Sequence, residues 1–190
     1  MGPLFILSGP SGVGKTTVLH QIIQKADLPL RQSVSCTTRP VRSGEIPDKD
    51  YHFMDREDFA REIASGGFLE HAEVHSELYG TLLREVTHWR VKGFGVVLVI
   101  DVQGASQVRS KIKVDCSIFL DAPSEVLRQR LEGRGTETVE VVERRLKSAL
   151  RERSCATGYT CSVTNTNLGQ AVAEITDLWR SFFPGKKSPA

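Results

Sequence analysis

The chain has 190 residues, 39% of them hydrophobic and 25% charged, which is ordinary for one globular domain large enough to bury a core. A formal net charge of +2 gives no argument for binding to nucleic acid or to a membrane. We find no membrane-spanning apolar run or signal-peptide pattern. Because the four cysteines form no CxxC pair, we expect reduced thiols and a cytoplasmic protein.

A glycine-rich segment near the N-terminus carries the clearest motif in the chain. Residues 9–16, GPSGVGKT, have the form G-x-x-x-x-G-K-[ST] of a phosphate-binding loop. An apolar run at 4–7 predicts a buried strand before the loop, and helical spacing of apolar residues at 18–23 predicts a helix after it. In such a loop the backbone N–H groups surround a polyphosphate, Lys15 reaches the β- and γ-phosphates, and Thr16 ligates Mg²⁺.

A polar segment follows the first predicted helix. Its alternation at 33–35 predicts a short edge strand, and a loop containing Arg39 and Arg42 comes next. Two guanidinium groups three residues apart can clamp one phosphate, but they also fit a solvated basic turn. The charge pattern alone leaves both interpretations open.

Residues 55–66 have helical periodicity, and two histidines follow them. His71 and His75 are four residues apart with a glutamate between them, a spacing that some metal sites use. The sequence lacks the H-E-x-x-H order and a third ligand in a recognisable spacing. We therefore interpret both histidines as ordinary surface residues.

An uninterrupted apolar run at 96–100 is typical of a central parallel strand buried on both faces. It ends in Asp101, which places this carboxylate at the edge of the sheet where α/β folds bind ligands. An apolar strand ending in Asp is the form of the second NTPase motif, whose carboxylate helps to hold Mg²⁺. Asp101 is thus a candidate ligand, either directly or through water.

A further buried strand at 117–120 precedes a helix that opens near Ser124, which we expect to be its N-cap. The next predicted helix starts at Thr138 and has an apolar stripe between 139 and 150. Three arginines flank the glycine-containing loop between these helices: Arg130, Arg134 and Arg145. They suit a mobile cationic lid over a triphosphate, and they equally suit exposed helix surfaces.

The C-terminal part predicts a strand near 162–164 and a helix that Asn167 opens with a capping-box spacing to Gln170. Strands and helices alternate along the chain, which predicts an α/β fold of the P-loop NTPase type: three layers around a mostly parallel central sheet. The core would comprise 1–32, 82–121 and 146–190. Two insertions, 33–81 and 122–145, would complete this single domain.

Nearly the whole chain resembles the guanylate kinase family. The segments that carry the resemblance are GPSGVGKTT at 9–17, SVSCTTRPVRSGE at 33–45, DYHF at 50–53, GFLEHAEV at 67–74, YGT at 79–81, IDVQGA at 100–105 and RLEGRGTET at 130–138. The resemblance implies Mg²⁺-dependent transfer of the ATP γ-phosphoryl group to GMP or dGMP in purine nucleotide metabolism. It makes 33–81 the GMP-binding insertion and 122–145 the lid, and it leaves a monomer or a small homo-oligomer open.

The resemblance also implies a role for particular residues. The receptors of the GMP phosphate would be Arg39, Arg42, Tyr51 and Tyr79, and the guanine readers would be Ser35, Glu70 and Thr81. The ATP-binding residues would be Gly9, Pro10, Ser11, Gly12, Val13, Gly14, Lys15, Thr16, Arg130, Arg134 and Asn165. Catalysis would rest on Lys15, Arg39, Arg134 and Arg145, with Mg²⁺ held by Thr16 and Asp101.

The chain departs from the family pattern at several positions. The family commonly has an acidic residue where this chain has Val99, which shifts guanine recognition towards Glu70 and Ser35. The acidic residues usual after Asn165 are replaced, and His71 takes the place of a tryptophan. Two alternative functions therefore stay open: a related phosphate-accepting kinase such as ribose bisphosphate phosphokinase, and a non-catalytic guanylate-kinase-like interaction module.

Overall fold

A five-stranded parallel sheet organises the computed structural model, which describes residues 1–74, 76–133 and 138–183. In sheet order, the strands are β2 (Leu30–Gln32), β7 (Gly95–Val99), β1 (Leu4–Ser8), β8 (Cys116–Asp121) and β9 (Cys161–Thr164). The central strand β1 is buried along its whole length, as its apolar sequence predicts. The predicted fold class, with its mostly parallel central sheet, is confirmed.

Helices cover both faces of this sheet. They are α1 (Lys15–Lys25), α3 (Leu83–Val91), α4 (Val102–Lys111), α5 (Ser124–Glu132), α6 (Val139–Arg153) and α7 (Leu168–Arg180), with a 3₁₀ turn at Ala156–Gly158; a further helix, α2 (Arg56–Ala64), packs elsewhere. Because successive residues of a strand point to opposite faces, Phe5 packs with Trp179 of α7, whereas Ile6 packs with Val108 of α4. The core is therefore divided into two apolar layers, one on each side of the sheet. Among the described residues, no helix is both long and apolar enough to cross a membrane.

A second, mixed sheet lies within the polar part of the chain. Its strands, in sheet order, are β4 (His52–Phe53), β3 (Cys36–Thr37), β6 (Glu77–Leu82) and β5 (Phe68–Val74). Helix α2 covers this sheet by stacking Phe59 on Phe68, with ring centroids 4.4 Å apart. The boundaries predicted for the insertion at 33–81 stay a prediction.

Three local predictions are wrong. Residues 33–35 are not a strand, because the chain leaves the central sheet after β2 and enters the second sheet at β3. Ser124 is the first residue of α5 and not its cap, a position that Pro123 takes. The stripe of α6 is narrower than predicted: Val142 is buried but Val139 is 71% exposed, since only part of this helix packs on the core. By contrast, Asn167 caps α7 by accepting from Gln170 N, as its spacing predicts.

Candidate active site

The phosphate-binding loop connects β1 to α1 at the edge of the sheet where the parallel strands end. Gly9, Gly12 and Gly14 have φ angles of 139°, 83° and 97°, a region that side chains rarely occupy. Lys15 folds back across the loop, and its Nζ donates to Gly9 O at 2.6 Å and to Pro10 O at 3.1 Å. The sequence thus folds locally into a turn with its lysine directed over the backbone, as a polyphosphate site requires.

Two side chains from distant parts of the chain hold the middle of this loop. Arg130 of α5 donates to Val13 O at 3.1 Å and to Asn165 O at 2.8 Å. Asn165, directly after β9, donates from Nδ2 to the same Val13 oxygen at 2.8 Å. Its own Oδ1 is buried, and among the described residues it has no hydrogen-bond partner. Both residues are predicted ATP ligands, and they line a cavity of about 470 Å³ together with Gly12, Gly14, Thr17, Gly133 and Leu168.

The predicted lid contributes a second described arginine to the loop, besides Arg130. Arg145 of α6 donates from Nη1 to Ser11 Oγ at 2.5 Å, so this helix already contacts the loop. Arg134, the second lid arginine with a predicted catalytic role, lies outside the described residues. Whether both arginines act on the transferred group stays a prediction.

Two of the three predicted guanine readers, Ser35 and Glu70, line a second, smaller cavity of about 170 Å³. Its lining includes Ser35, Tyr51, Glu70, Tyr79, Val99 and Asp101. Glu70 is 7% exposed, and its Oε1 accepts from Thr81 Oγ1 at 2.6 Å. Burial raises the pKa of Glu70, and the nearby charge of Asp101 adds to this effect, whereas the Thr81 hydrogen bond opposes it.

Helix α4 approaches this carboxylate closely. A Cβ atom at Gly104 would lie 3.0 Å from Glu70 Oε2, so glycine permits the contact. The side-chain amide of Gln107, one turn further along α4, exchanges two hydrogen bonds with the backbone of His71, at 3.1 and 3.0 Å. Lys111 Nζ adds a hydrogen bond of 2.9 Å to Phe68 O. We call the five-stranded sheet with the helices packed on it the central domain. We refer to Gln107 and Lys111 as the α4 clamp, because they fix β5 on this central domain.

Arg39, a predicted receptor of the GMP phosphate, is 7% exposed. Its Nη1 and Nη2 donate to the two carboxylate oxygens of Glu45 at 2.7 and 2.5 Å, and its guanidinium carbon lies 4.8 Å from the centroid of the Tyr51 ring. These hydrogen bonds raise the pKa of Arg39 and lower that of Glu45 to about 2. Tyr79 lies next to Tyr51, with ring centroids 6.2 Å apart. The structure therefore brings Arg39, Tyr51 and Tyr79 together.

The other predicted phosphate receptor, Arg42, is different. Its backbone N donates to Glu45 Oε2 at 2.8 Å, and its side chain is exposed. Sequence reasoning assigned no role to Glu45. Its signal was an acidic residue placed shortly after two arginines, which is the arrangement of a local ion pair.

The two predicted metal ligands, Thr16 and Asp101, lie at the N-terminal ends of α1 and α4. Thr16 is in the first turn of α1, and Asp101 caps α4 by accepting from Gly104 N at 2.8 Å through Oδ1. A hydroxyl and the second carboxylate oxygen are hard ligands of the kind that Mg²⁺ takes, so the donor set fits. The described residues contain no cluster of three ligating side chains. His71 lies in β5, and His75, its predicted neighbour, is outside the described residues.

Comparison with known proteins identifies the family. The family model described as guanylate kinase matches residues 1–181. The chain belongs to the guanylate kinase family. It is 41% identical to the guanylate kinase of Rubrobacter xylanophilus over 185 residues, which cover 97% of this chain and 96% of that one. The guanylate kinase of Hahella chejuensis is 42% identical over 181 residues, with coverages of 95% and 86%.

A solved structure gives the same result. The crystal structure of guanylate kinase from Anaplasma phagocytophilum has a TM-score of 0.73 and 32% identity, and the match covers 95% of this chain and 85% of that chain. Guanylate kinases are ATP-dependent nucleoside monophosphate kinases, a class of phosphotransferases. All three relatives are guanylate kinases, which favours neither of the two alternative functions.

Proposed function

We propose that this chain is a guanylate kinase that transfers the γ-phosphoryl group of ATP to GMP or dGMP, giving ADP and GDP in purine nucleotide metabolism. The observation that carries the proposal is the second cavity, which is lined by the buried carboxylate of Glu70. Arg39 and Tyr51 provide a cationic and hydroxyl-bearing end for a monophosphate. A phosphate-binding loop alone would fit many nucleotide-binding proteins.

Glu70 explains a preference for guanine. A carboxylate accepts hydrogen bonds from both N1–H and the 2-amino group of guanine, while Thr81 holds Oε1 in place. Adenine has neither donor, so it would leave a buried carboxylate without a partner. Such a mismatch in a buried polar site costs far more than the loss of an apolar contact.

Arg39 explains how the acceptor phosphate is received. Its guanidinium group is held by Glu45 and stacked near Tyr51, so it is oriented before a ligand binds. A phosphate oxygen can bond with the hydroxyl groups of Tyr51 and Tyr79 and with the guanidinium group. The exposed side chain of Arg42 can close onto the same phosphate.

The chemistry follows from positioning and charge. The attacking atom is an anionic phosphate oxygen, so the reaction needs no general base. Lys15 belongs to the loop that would receive the donor phosphates, and Arg145 of α6 contacts this loop, so both would neutralise charge that develops on the transferred group. Thr16 and Asp101 would hold Mg²⁺, which when bound neutralises the donor phosphates. Closure of the two insertions would exclude water and prevent hydrolysis of ATP.

We further propose that the enzyme works in the cytoplasm, as a monomer or a small homo-oligomer, and that its ligands are nucleotides and not nucleic acids. Its four cysteines are free thiols, as a reducing compartment permits. The formal net charge of +2 gives no support for a surface that binds nucleic acid or another polyanion.

The test is a coupled ADP-release assay with ATP, Mg²⁺ and a panel of nucleoside monophosphates. We expect turnover with GMP and dGMP well above that with AMP, CMP and UMP. Ribose bisphosphate belongs in the same panel as the acceptor for the alternative kinase. If ATP binds but GMP releases no more ADP than water does, the proposal is wrong.

A further inference from the structure

A histidine outside the acceptor cavity joins two carboxylates from different parts of the fold. The ring of His52, in β4, places Nδ1 2.8 Å from Asp48 Oδ1 and Nε2 2.8 Å from Glu85 Oε2. Asp48 belongs to the loop that carries Arg39 and Arg42, whereas Glu85 belongs to α3 of the central domain. The His52 side chain is 28% exposed and that of Glu85 is 14% exposed.

The two contacts determine the charge of the ring. An ionised carboxylate only accepts hydrogen bonds, and a neutral imidazole has a single N–H group. Both ring nitrogens of His52 lie at hydrogen-bond distance from carboxylate oxygens, so only the doubly protonated imidazolium ring can donate to both. Burial lowers the pKa of His52, but hydrogen bonds to Asp48 and Glu85 outweigh it and raise the pKa above 6.5.

This bridge is connected to the acceptor site through the backbone. His52 N donates to Ser35 O at 2.9 Å, and the second oxygen of Glu85 accepts from Val34 N at 2.9 Å. Ser35 lines the acceptor cavity, as does Tyr51, the residue directly before His52. Through Glu85 the ring is thus linked to the segment that carries Ser35, and its own residue directly follows Tyr51 in the chain.

We propose that the His52 imidazolium is a positioning residue for the acceptor site: it holds Tyr51 and Ser35 in the geometry that binds the acceptor nucleotide, and loss of its proton weakens that binding. This inference rests on the proposed function, since it concerns the affinity of the same site for GMP.

Other charged groups around His52 do not replace the two carboxylates. On α3, Arg84 and His88 line an open cavity of about 450 Å³ beside the ring, and Arg84 is paired with Glu62 of α2. On the loop, the carboxylate of Asp50 accepts from Ile46 N. On β3, the residue that pairs with His52 is Cys36, whose pKa burial raises to about 12, so this thiol stays neutral.

The direction of the pH effect follows from the proton count. As pH rises through the pKa of His52, one ring nitrogen loses its proton. The lone pair of that nitrogen then faces a carboxylate oxygen, so an attractive contact becomes repulsive. The Michaelis constant for GMP should then rise, by roughly three- to tenfold for the loss of one charge-assisted hydrogen bond. The GMP phosphate itself ionises with a pKa of about 6, so variants are compared over the same pH range.

The first measurement is an NMR titration of the histidine ring protons in the full chain, which needs no activity. We expect His52 to titrate above 6.5 and His52→Gln to assign its signal. Glu85→Gln should lower this pKa, because an amide can accept from Val34 N and donate to a neutral ring. A His52 pKa at or below 6.5, or one that Glu85→Gln leaves unchanged, would overturn the charge assignment.

The second measurement is the pH profile of KM for GMP and of kcat in four proteins. In the unmodified chain, KM should rise with pH while kcat at saturating GMP changes less than twofold. Glu85→Gln should have a flat profile and bind GMP more tightly than the unmodified chain at high pH, since its bridge suits a neutral ring. His52→Gln should have a high, flat KM, and the exposed control His88→Gln should follow the unmodified chain.

The outcomes separate the two proposals. An active enzyme whose KM profile superimposes on those of His52→Gln and Glu85→Gln refutes the positioning role and leaves the proposed function intact. If GMP neither binds nor turns over at any pH, the proposed function fails and the positioning role fails with it. The NMR titration decides the charge of the ring in either case.

Discussion

The donor and acceptor regions of this protein are held in place by different kinds of contact. In the donor region, side chains bind backbone oxygens: Lys15 binds Gly9 and Pro10, and Arg130 binds Val13. In the acceptor region, the charged groups bind one another, as Arg39 does with Glu45. A backbone-braced loop keeps its shape as ligands come and go, whereas paired side chains can exchange partners. The acceptor region is therefore where we expect ligand identity to be decided.

The largest effect is expected from Lys15→Met in the donor region. Its ammonium group stabilises charge that develops on the transferred phosphoryl group, so kcat should fall by about 10²- to 10³-fold while KM for GMP changes little. Steady-state kinetics with each substrate varied in turn will measure this. Lys25→Met, in the exposed last turn of the same helix, is the control. An effect confined to KM would contradict the role given to Lys15.

A smaller effect is expected from Glu70→Gln in the acceptor region. The amide can pair with only one of the two guanine donors, so KM for GMP should rise by roughly 10- to 100-fold and the preference over AMP should narrow. The nucleotide panel measures both quantities. Glu73→Gln, at an exposed position of the same strand, should leave them unchanged. Equal selectivity in Glu70→Gln and the unmodified chain would exclude Glu70 as the guanine reader.

The smallest effect is expected from Glu45→Gln, and it concerns stability. The pKa of Glu45 is about 2 in the folded protein against an ordinary value of 4.5. Its contribution to stability is thus fully present above pH 4.5 and is lost as pH falls towards 2. The melting temperature of the variant should lie below that of the unmodified chain at neutral pH, and the difference should disappear in acid.

A matched control tests whether the Glu45 effect is specific. Glu57→Gln removes the partner of Arg61 in an ion pair whose side chains are 67% and 89% exposed, and such pairs contribute little. Thermal unfolding followed by circular dichroism from neutral pH down to about pH 2 will compare the two variants. A difference for Glu45→Gln that does not change with pH would contradict the ion-pair interpretation.

The donor region could be predicted well because its signal is local. Eight consecutive residues specify the loop, and the strand and the helix beside it follow from periodicity. The capping of α7 by Asn167 is local too. The chain enters a second sheet within a few residues of the first, however, and an alternating pattern such as that of 33–35 does not locate such a change.

The acceptor region could be predicted only in part. The family resemblance pointed to Glu70 and Arg39, but the pairing of Arg39 with Glu45 became clear only from the side-chain geometry. Contacts such as Arg130 with Val13 or His52 with Glu85 join positions far apart in the chain. Sequence periodicity cannot predict these contacts, because each of them depends on how two distant elements pack together.

The α4 clamp has a consequence for recombination between relatives. Gln107 and Lys111 belong to the central domain by sequence, yet their hydrogen bonds end on the backbone of β5, at His71 and Phe68. Gly104 on the same helix has no side chain, and this lets the carboxylate of Glu70 approach the helix closely. A chimera that exchanges only 33–81 would separate these partners. To keep these contacts, a chimera designed to alter base preference should exchange α4 together with 33–81. Its C-terminal crossover should therefore lie after Lys111 and not after residue 81.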